Sequence, residues 1–350
     1  MNPTSAPELT KTETATQGPP PPAQMMQMIT AFWTSCCIYT ASKLNIADLL
    51  ATKSKTAQAL ATETQTHPRA LYRLLRALAS AGVFSENEKG EFSLTPIGNT
   101  LRGDVPGSMK AMAIAQLGDH YGAWGELLYS VRTGEIAFDH LHGMPVWKYY
   151  ETHPEDGVNF SKAMSGLTQA VLMNIVPAYD FSQFNTIADI GGGNGTFLTG
   201  VLNSAQNARG IVFDEAYLET QAARQLESAG LSDRCRFIAG SFFESVPEDC
   251  DAYLLKMVLH DWNDLQSLQI LSTLSKTMKP GAKALIFESV IPEGNAPHPG
   301  KLMDINMLTM TGGQERNEKE WMALIEKGGL RFSKVISTHS PLFSIVEAVK

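Results

Sequence analysis

The sequence predicts an α/β protein: a Rossmann-like, doubly wound sheet of seven strands in the C-terminal half, preceded by a mainly helical winged-helix domain. Three observations predict it. Residues 187–195, Ile-Ala-Asp-Ile-Gly-Gly-Gly-Asn-Gly, run a short apolar strand into a glycine turn. Beyond that turn, apolar strand-like runs alternate with helical patterns, as in a parallel doubly wound sheet. Upstream, residues 55–101 read as helix, turn, helix and a small hairpin.

Taken in order, residues 1–22 are polar, end in Pro19 to Pro22, and lack an apolar face, so they are expected to be disordered. A helix is expected from Ala23. Met25, Ile29, Phe32, Cys36 and Tyr39 give it one apolar stripe, widened by Met28, Trp33 and Ile38. So broad a surface suits burial between subunits or in the domain's own core. In the winged-helix segment Ala57, Leu60 and Ala61 mark the first helix, and Pro68 suits the first turn of the second. That second helix turns Leu71, Leu74, Leu75 and Leu78 inward and stops at Gly82. Val83-Phe84 and residues 91–94 form a wing around Lys89-Gly90. Arg69, Arg73 and Arg76 make DNA binding a competing reading, against which the acidic balance favours a solvated face. Residues 108–180 are mostly helical and carry Met112, Trp124, Phe138, Trp147, Phe160, Met164 and Met173. Core packing is the default for each, but such side chains also line pockets for flat apolar ligands.

The strands of the sheet are expected at 187–190, 210–213, 236–239, 252–257, 284–288, 332–337 and 343–349, with helices from 196, over 216–229, over 265–278 and near 318–327. Ligands of such sheets bind at the carboxyl ends of the strands, where Asp189, Asp214, Ser241, Lys256, His260 and Glu288 fall. Glycines let a ligand approach the backbone, and a helix that Asn194 can cap offers unpaired N–H groups. Gly191 and Gly193 match the first two positions of the dinucleotide fingerprint, but Thr196 takes the third and the glycine falls at Gly195. Asp214 suits the ribose hydroxyls of a dinucleotide or of S-adenosylmethionine. Asp189 suits an ammonium better than a pyrophosphate, so the balance favours S-adenosylmethionine.

At 350 residues and 43% hydrophobic content there is room for two domains with their own cores. A net charge of −8 counts against a general nucleic-acid binder. No pair among Cys36, Cys37, Cys235 and Cys250 has zinc-ligand spacing, so buried free thiols in a reducing cytoplasm are expected. Neither a signal peptide nor a membrane-spanning run is expected.

Residues 254–264, Leu-Leu-Lys-Met-Val-Leu-His-Asp-Trp-Asn-Asp, carry a family resemblance. With the glycine motif, the run Gly-Ser-Phe-Phe-Glu-Ser-Val-Pro at 240–247 and Gly-Gly-Gln-Glu-Arg at 312–316, the chain strongly resembles the S-adenosylmethionine-dependent small-molecule O-methyltransferases. These include plant caffeate and flavonoid enzymes, hydroxyindole enzymes and bacterial antibiotic-tailoring enzymes. The motifs follow the family's order, and the resemblance covers about residues 24–350. It implies a class I methyltransferase sheet over 181–350, a winged-helix-like dimerisation domain over 23–107, a helical linker and substrate-pocket region over 108–180, and a homodimer.

The resemblance also implies roles. Gly191, Gly193 and their neighbours, with Asp189, hold the methionine end of the cofactor; Asp214 binds the ribose; Ser241 and Phe242 flank the adenine, with Lys256 near it. His260 is the general base, flanked by Glu288 and Glu315, and Asp261 lies at the substrate. Phe160, Met164, Met257, Met303 and Met307 are the expected apolar lining of the acceptor pocket. Two positions depart from the family: Ser241 stands where aspartate is common, and Glu215-Ala216 where Leu-Pro is common.

The implied chemistry is methyl transfer to a phenolic oxygen. A phenol has a pKa near 10, so a histidine that takes the proton as attack begins contributes roughly 10²–10⁴-fold. A carboxylate on the other ring nitrogen fixes the tautomer; Glu315 is the expected partner and Glu288 the second choice. The methyl is already activated by a positive sulfur, so no metal is required and no metal cluster is expected. A purely structural role for His260 would be to cap the helix after the fourth strand. N- or C-methylation on the same fold and a ligand-sensing winged-helix regulator are the alternative functions.

Overall fold

The computed structural model describes residues 19–350. Residues 1–18 of the expected disordered tail lie outside the described residues. The tail's last residues are helical instead: the first helix, Pro21–Lys43, opens on prolines, whose fixed φ suits an N-terminal turn. Its expected apolar stripe is uncovered within one chain, with Met25, Ile29, Phe32 and Trp33 between 44% and 61% exposed. Only its last turns pack, through Ala41 and its neighbours, into the N-terminal core.

That core belongs to the winged helix. Thr56 caps the helix Ala57–Thr64 by accepting the Ala59 N–H. In the next helix, Pro68–Ser80, Leu71, Leu75 and Leu78 are buried, while Leu74 lies only at the rim. Arg69, Arg73 and Arg76 are exposed, as a solvated face would be. Strands β1 (Lys55–Thr56), β2 (Phe84–Glu86) and β3 (Glu91–Leu94) form a three-stranded antiparallel sheet in the order β1-β3-β2. The sequence reading missed β1 because it is only two residues long.

Short helices then lead to the long helix Pro154–Ile175, which packs against the helix Lys110–Leu117 and the helix Thr196–Ser204. The large sheet follows: β4 (Thr186–Ile190), β5 (Arg209–Asp214), β6 (Cys235–Ala239), β7 (Ala252–Lys256), β8 (Lys283–Glu288), β9 (Arg331–Ser337) and β10 (Ser344–Val349), in the order β6-β5-β4-β7-β8-β10-β9. The seven expected strands are all present, but the sheet is mixed: β10 runs antiparallel to both its neighbours. A short connection from β9 to β10 enforces this, since a parallel return needs a crossover of a dozen or more residues.

Alternation along each strand feeds two cores. Ala188, Ile190, Tyr253, Leu255 and Ile286 point to the face covered by the helices Asp264–Thr277 and Glu318–Lys327. Ile187, Leu254, Leu285 and Phe287 point to the opposite face, under Phe197, Leu198, Val201 and Leu202. Each fully buried aliphatic or aromatic side chain of this kind contributes about 1.5–3 kcal/mol. The strand order reverses at β4, with β5 on one side and β7 on the other, and this opens the crevice at the carboxyl ends. Cys235 and Cys250 are buried free thiols, but Cys36 and Cys37 are only half-buried because the first helix lacks a cover in one chain. No helix among the described residues is long and apolar enough to cross a membrane.

Candidate active site

The crevice begins at the glycine turn. Gly191, Gly193 and Gly195 have φ of 67°, 58° and 81°, a region open to glycine at little cost. The expected cap moves by one residue: Gly195 is the N-cap of Thr196–Ser204. Asn194 braces the turn instead, its side-chain oxygen accepting from the Thr196 hydroxyl at 2.7 Å and its amide donating to Ser165 at 2.9 Å. The long helix Pro154–Ile175 is thereby pinned over the turn.

Two acids frame the cradle. Asp214, ending β5, accepts the Gly193 N–H at 2.7 Å and the Glu215 N–H at 2.7 Å. Burial outweighs these bonds and raises its pKa. Asp189, in β4, is 1% exposed, and its Oδ2 has no partner. Burial pushes its carboxyl up to about 7 against the pull of Lys256. Lys256 is grouped with the carboxylates rather than with the Ser241–Phe242 wall. Its ammonium lies over the rings of Phe197 and Phe343, within the field of Asp189, Glu288 and Asp261. Phe242 packs instead on Phe243 and Trp262 and approaches Gly191. Ser241 is half-buried beside it.

Past β7 the chain turns at Met257, where φ is 55°, and enters the 3-10 turn Leu259–Asp261. His260 is 3% exposed. Its Nδ1 lies 2.8 Å from Oε1 of Glu315 and 3.5 Å from Oε2 of Glu288. Nε2 is 3.7 Å from Oδ1 of Asp261, beyond hydrogen-bond reach. The structural role as a helix cap falls to Asn263, which accepts the Gln266 N–H. Glu288 ends β8, and its Oε1 accepts the N–H groups of Val258 and Leu259 at 2.9 and 3.0 Å. It therefore builds the turn that carries His260.

The charges are strongly coupled. Burial by itself would lower the His260 pKa, but Glu288, Asp261 and the Glu315 hydrogen bond outweigh it and raise it to about 10. Burial lifts Glu288 to about 7 and Asp261 to about 6. One ligand atom from each of His260, Glu288 and Glu315 lies within 4.8 Å of the others: the two acids flank the histidine as the resemblance implied, at a spacing that could also hold a metal ion, which the sequence did not suggest. Oε1 of Glu315 is engaged by Nδ1 and Oε1 of Glu288 by backbone N–H groups, while Oε2 of each is buried without a hydrogen-bond partner.

Three residues escaped the sequence reading as positioning groups. Arg316, 1% exposed, donates to the carbonyls of Leu259 and Trp262 and to Asp264, fastening the loop around His260. Asp304 accepts the Glu315 N–H at 2.8 Å. A Cβ on Gly313 would collide with the backbone of His260 and Asp261, so only glycine allows the segment carrying Glu315 to lie this close. The motif at 312–316 contained two of these; spacing could not say what they touch.

On the apolar side, Phe160 joins an aromatic cluster with Trp147 and Tyr150, and Met164 lies one turn further along the same helix. Met303 and Met307 lie on the helix Gly300–Met310, where Met307 is buried. Met257 packs at the edge of the second core.

Residues 124–331 match the model of an O-methyltransferase domain, and residues 26–104 that of an O-methyltransferase dimerisation domain. The chain belongs to the S-adenosylmethionine-dependent O-methyltransferase family. Among its relatives is the phenazine O-methyltransferase PhzM of Lysobacter antibioticus, 42% identical over 93% of this chain and 95% of the relative. Another is an 8-amino-8-demethylriboflavin N,N-dimethyltransferase of Streptomyces davaonensis, 36% identical over 83% of this chain and 85% of the relative. The crystal structure of LaPhzM superposes with a TM-score of 0.92 at 41% identity, covering 95% of this chain and 99% of the other. An O-methyltransferase from neocarzinostatin biosynthesis, solved with S-adenosyl-L-homocysteine and 1,4-dihydroxy-2-naphthoic acid, superposes with a TM-score of 0.75 at 30% identity, covering 90% and 95%.

The cofactor of this methyltransferase is S-adenosylmethionine, and the crevice fits it. A buried carboxylate oxygen of Asp189 awaits a donor, and Gly193 has no protein atom where a side chain would project.

Proposed function

We propose that this methyltransferase acts on a hydroxyl of a small aromatic metabolite, with His260 as general base and Glu315 as the group that orients it. One observation carries the reading: Nδ1 of a buried histidine is committed to Glu315 at 2.8 Å, while Nε2 has no hydrogen bond. With the Nδ1 proton donated to the carboxylate, the lone pair of Nε2 is free to take a phenolic proton. Glu288 holds the backbone of the turn and adds negative charge that stabilises the imidazolium as it forms. Asp261 stands beside Nε2, at the substrate.

Bound S-adenosylmethionine supplies a methyl group on a positively charged sulfur. Asp189 and the glycine turn receive its methionine end, Asp214 its ribose, and Ser241 and Phe242 its adenine. The methyl is already activated by the positive sulfur, so the reaction requires no metal. The aromatic nature of the acceptor is supported by Phe160, Trp147 and Tyr150 beside the methionines, and by relatives named for a phenazine and solved with a naphthoic acid. One relative is named as an N,N-dimethyltransferase, which favours an aromatic amine as the second reading.

The protein acts as a homodimer through its N-terminal domain. Support comes from the uncovered face of Met25, Ile29, Phe32 and Trp33 and from the match to a dimerisation domain.

Incubation with S-adenosylmethionine and a panel of hydroxylated and aminated phenazines and naphthalenes, read by mass spectrometry, tests the reaction. Methylated ether products that disappear in His260→Ala support it. Products methylated only on nitrogen or carbon refute transfer to oxygen.

A further inference from the structure

The helical region beside the crevice contains buried polar chemistry that methyl transfer at His260 does not use. His120, 5% exposed, faces Tyr150, 8% exposed, with Nε2 2.8 Å from the phenolic oxygen. The other ring nitrogen of His120, Nδ1, is buried and has no partner, and neither has Oδ2 of Asp119. Buried polar atoms are satisfied in the great majority of proteins, so two adjacent orphans call for a ligand that supplies what they lack.

Their location connects them to the reacting end. Phe160 stacks on Tyr150 at 4.9 Å and lies 6.0 Å from His120. Trp124, on the same short helix as Asp119 and His120, donates its indole N–H to Asn306 at 2.9 Å. Met310 of the helix Gly300–Met310 packs in one cluster with Tyr150. Asp304, on that same helix, holds the N–H of Glu315, the partner of His260. One helix thus braces both the base and the His120–Tyr150 pair.

Resting on the proposed aromatic acceptor, we propose that Asp119, His120 and Tyr150 form a specificity subsite for a second hydroxyl or amino group, carried by the acceptor away from the oxygen that is methylated. The chemistry selects the class. Burial lowers the proton affinity of His120 and holds Tyr150 as the neutral phenol, so the pair shares a single proton between them. In one arrangement Tyr150 donates to Nε2 and Nδ1 carries a proton; in the other Nε2 donates to Tyr150 and Nδ1 accepts. Both leave the Asp119 oxygen as an acceptor. A hydroxyl satisfies the first, accepting from Nδ1 and donating to Asp119, and an amine, with two N–H groups to donate, satisfies the second. A methyl ether has no proton for Asp119, and a carboxylate would be repelled by it.

Calorimetry on the full-length protein saturated with S-adenosylhomocysteine tests this with 2-naphthol, 2,7-dihydroxynaphthalene, 7-methoxy-2-naphthol and 7-hydroxy-2-naphthoic acid. The diol should bind about five- to tenfold more tightly than the methoxy compound, the scale of one net hydrogen bond, and the acid most weakly. Tyr150→Phe keeps the ring, and Asp119→Asn is the second variant should the first fail to fold. Each should bring the diol-to-methoxy ratio near one. Equal binding of diol and methoxy compound by wild type overturns the proposal, as does an unchanged ratio in the folded variants or the failure of every probe to bind. Methyl transfer is measured alongside. Preference for the diol without methylation of any probe keeps the subsite and refutes the proposed reaction; methylation with equal affinities does the reverse.

Discussion

Nδ1 of His260 lies 2.8 Å from Oε1 of Glu315, a residue 55 positions further along the chain. The contact joins the turn after β7 to the segment after the helix Gly300–Met310, and each side is separately fastened. Glu288 holds the first through backbone N–H groups, and Asp304 holds the second. A pair anchored this way loses little freedom on forming the reactive geometry, which is how positioned groups lower a barrier.

His260→Ala should lower turnover on a phenol by roughly 10²-fold or more while leaving cofactor affinity nearly intact. Glu315→Gln should lower it less, since the imidazole remains but is poorly held. Steady-state kinetics paired with calorimetric titration of S-adenosylmethionine separates the two quantities. Wild-type turnover in His260→Ala would remove the base assignment.

The pH profile should be displaced. The base acts with Nε2 unprotonated, and the carboxylates around His260 raise its pKa to about 10, so the rate should still climb with pH above 6.5, the ordinary histidine value. Removing one carboxylate lowers that pKa, so the limb in Glu315→Gln should move towards acid. In His260→Ala it should vanish, and an acceptor phenol already ionised at the assay pH should partly rescue turnover. Chelators should leave every profile unchanged.

Cofactor affinity should also follow pH, with the opposite anchor. Asp189 titrates near 7 in the free protein because it is buried. An ammonium bound to it requires the carboxylate, so affinity for S-adenosylmethionine should weaken as pH falls from about 7 towards 5. Asp189→Asn should bind more weakly at pH 8 and lose that dependence. Asp214→Ala should cost about 1.5–3 kcal/mol of cofactor affinity, the range for a hydrogen bond to a charged group.

Arg316→Met should destabilise the fold and slow turnover together. Asp264 is well exposed, so its ion pair with Arg316 contributes little. The larger loss comes from the two bonds that the guanidinium donates to the carbonyls of Leu259 and Trp262, about 0.5–1.5 kcal/mol each, since the Ser267 hydroxyl and the Trp262 N–H remain as donors there. Denaturant melts read the stability, and the Glu315→Gln kinetics provide the comparison for a misplaced base.

Light scattering should find a dimer, and Phe32→Ser with Trp33→Ser should yield monomers whose winged-helix core is preserved, since neither side chain enters that core. A monomer in the unsubstituted protein would contradict the homodimer.

Local pattern determined much of this protein. The glycine turn, the short apolar runs at Ile187–Ile190 and Ala252–Leu255 and the inward face of Leu71, Leu75 and Leu78 are short-range facts, because they lie within a few consecutive residues. The run ending in His260-Asp261-Trp262 identified the family before any contact was known. The sequence also favoured Glu315 over Glu288 as the partner of His260; only the tertiary structure gave their 2.8 Å contact and decided that Lys256 joins the carboxylates and that Gly313 and Arg316 hold the loop. The same holds for the orphaned atoms of Asp119 and His120. Each depends on the distance between residues far apart in the chain, on the burial that shifts their charges and on the space left for a side chain. Those quantities exist only once the sheet and helices have packed.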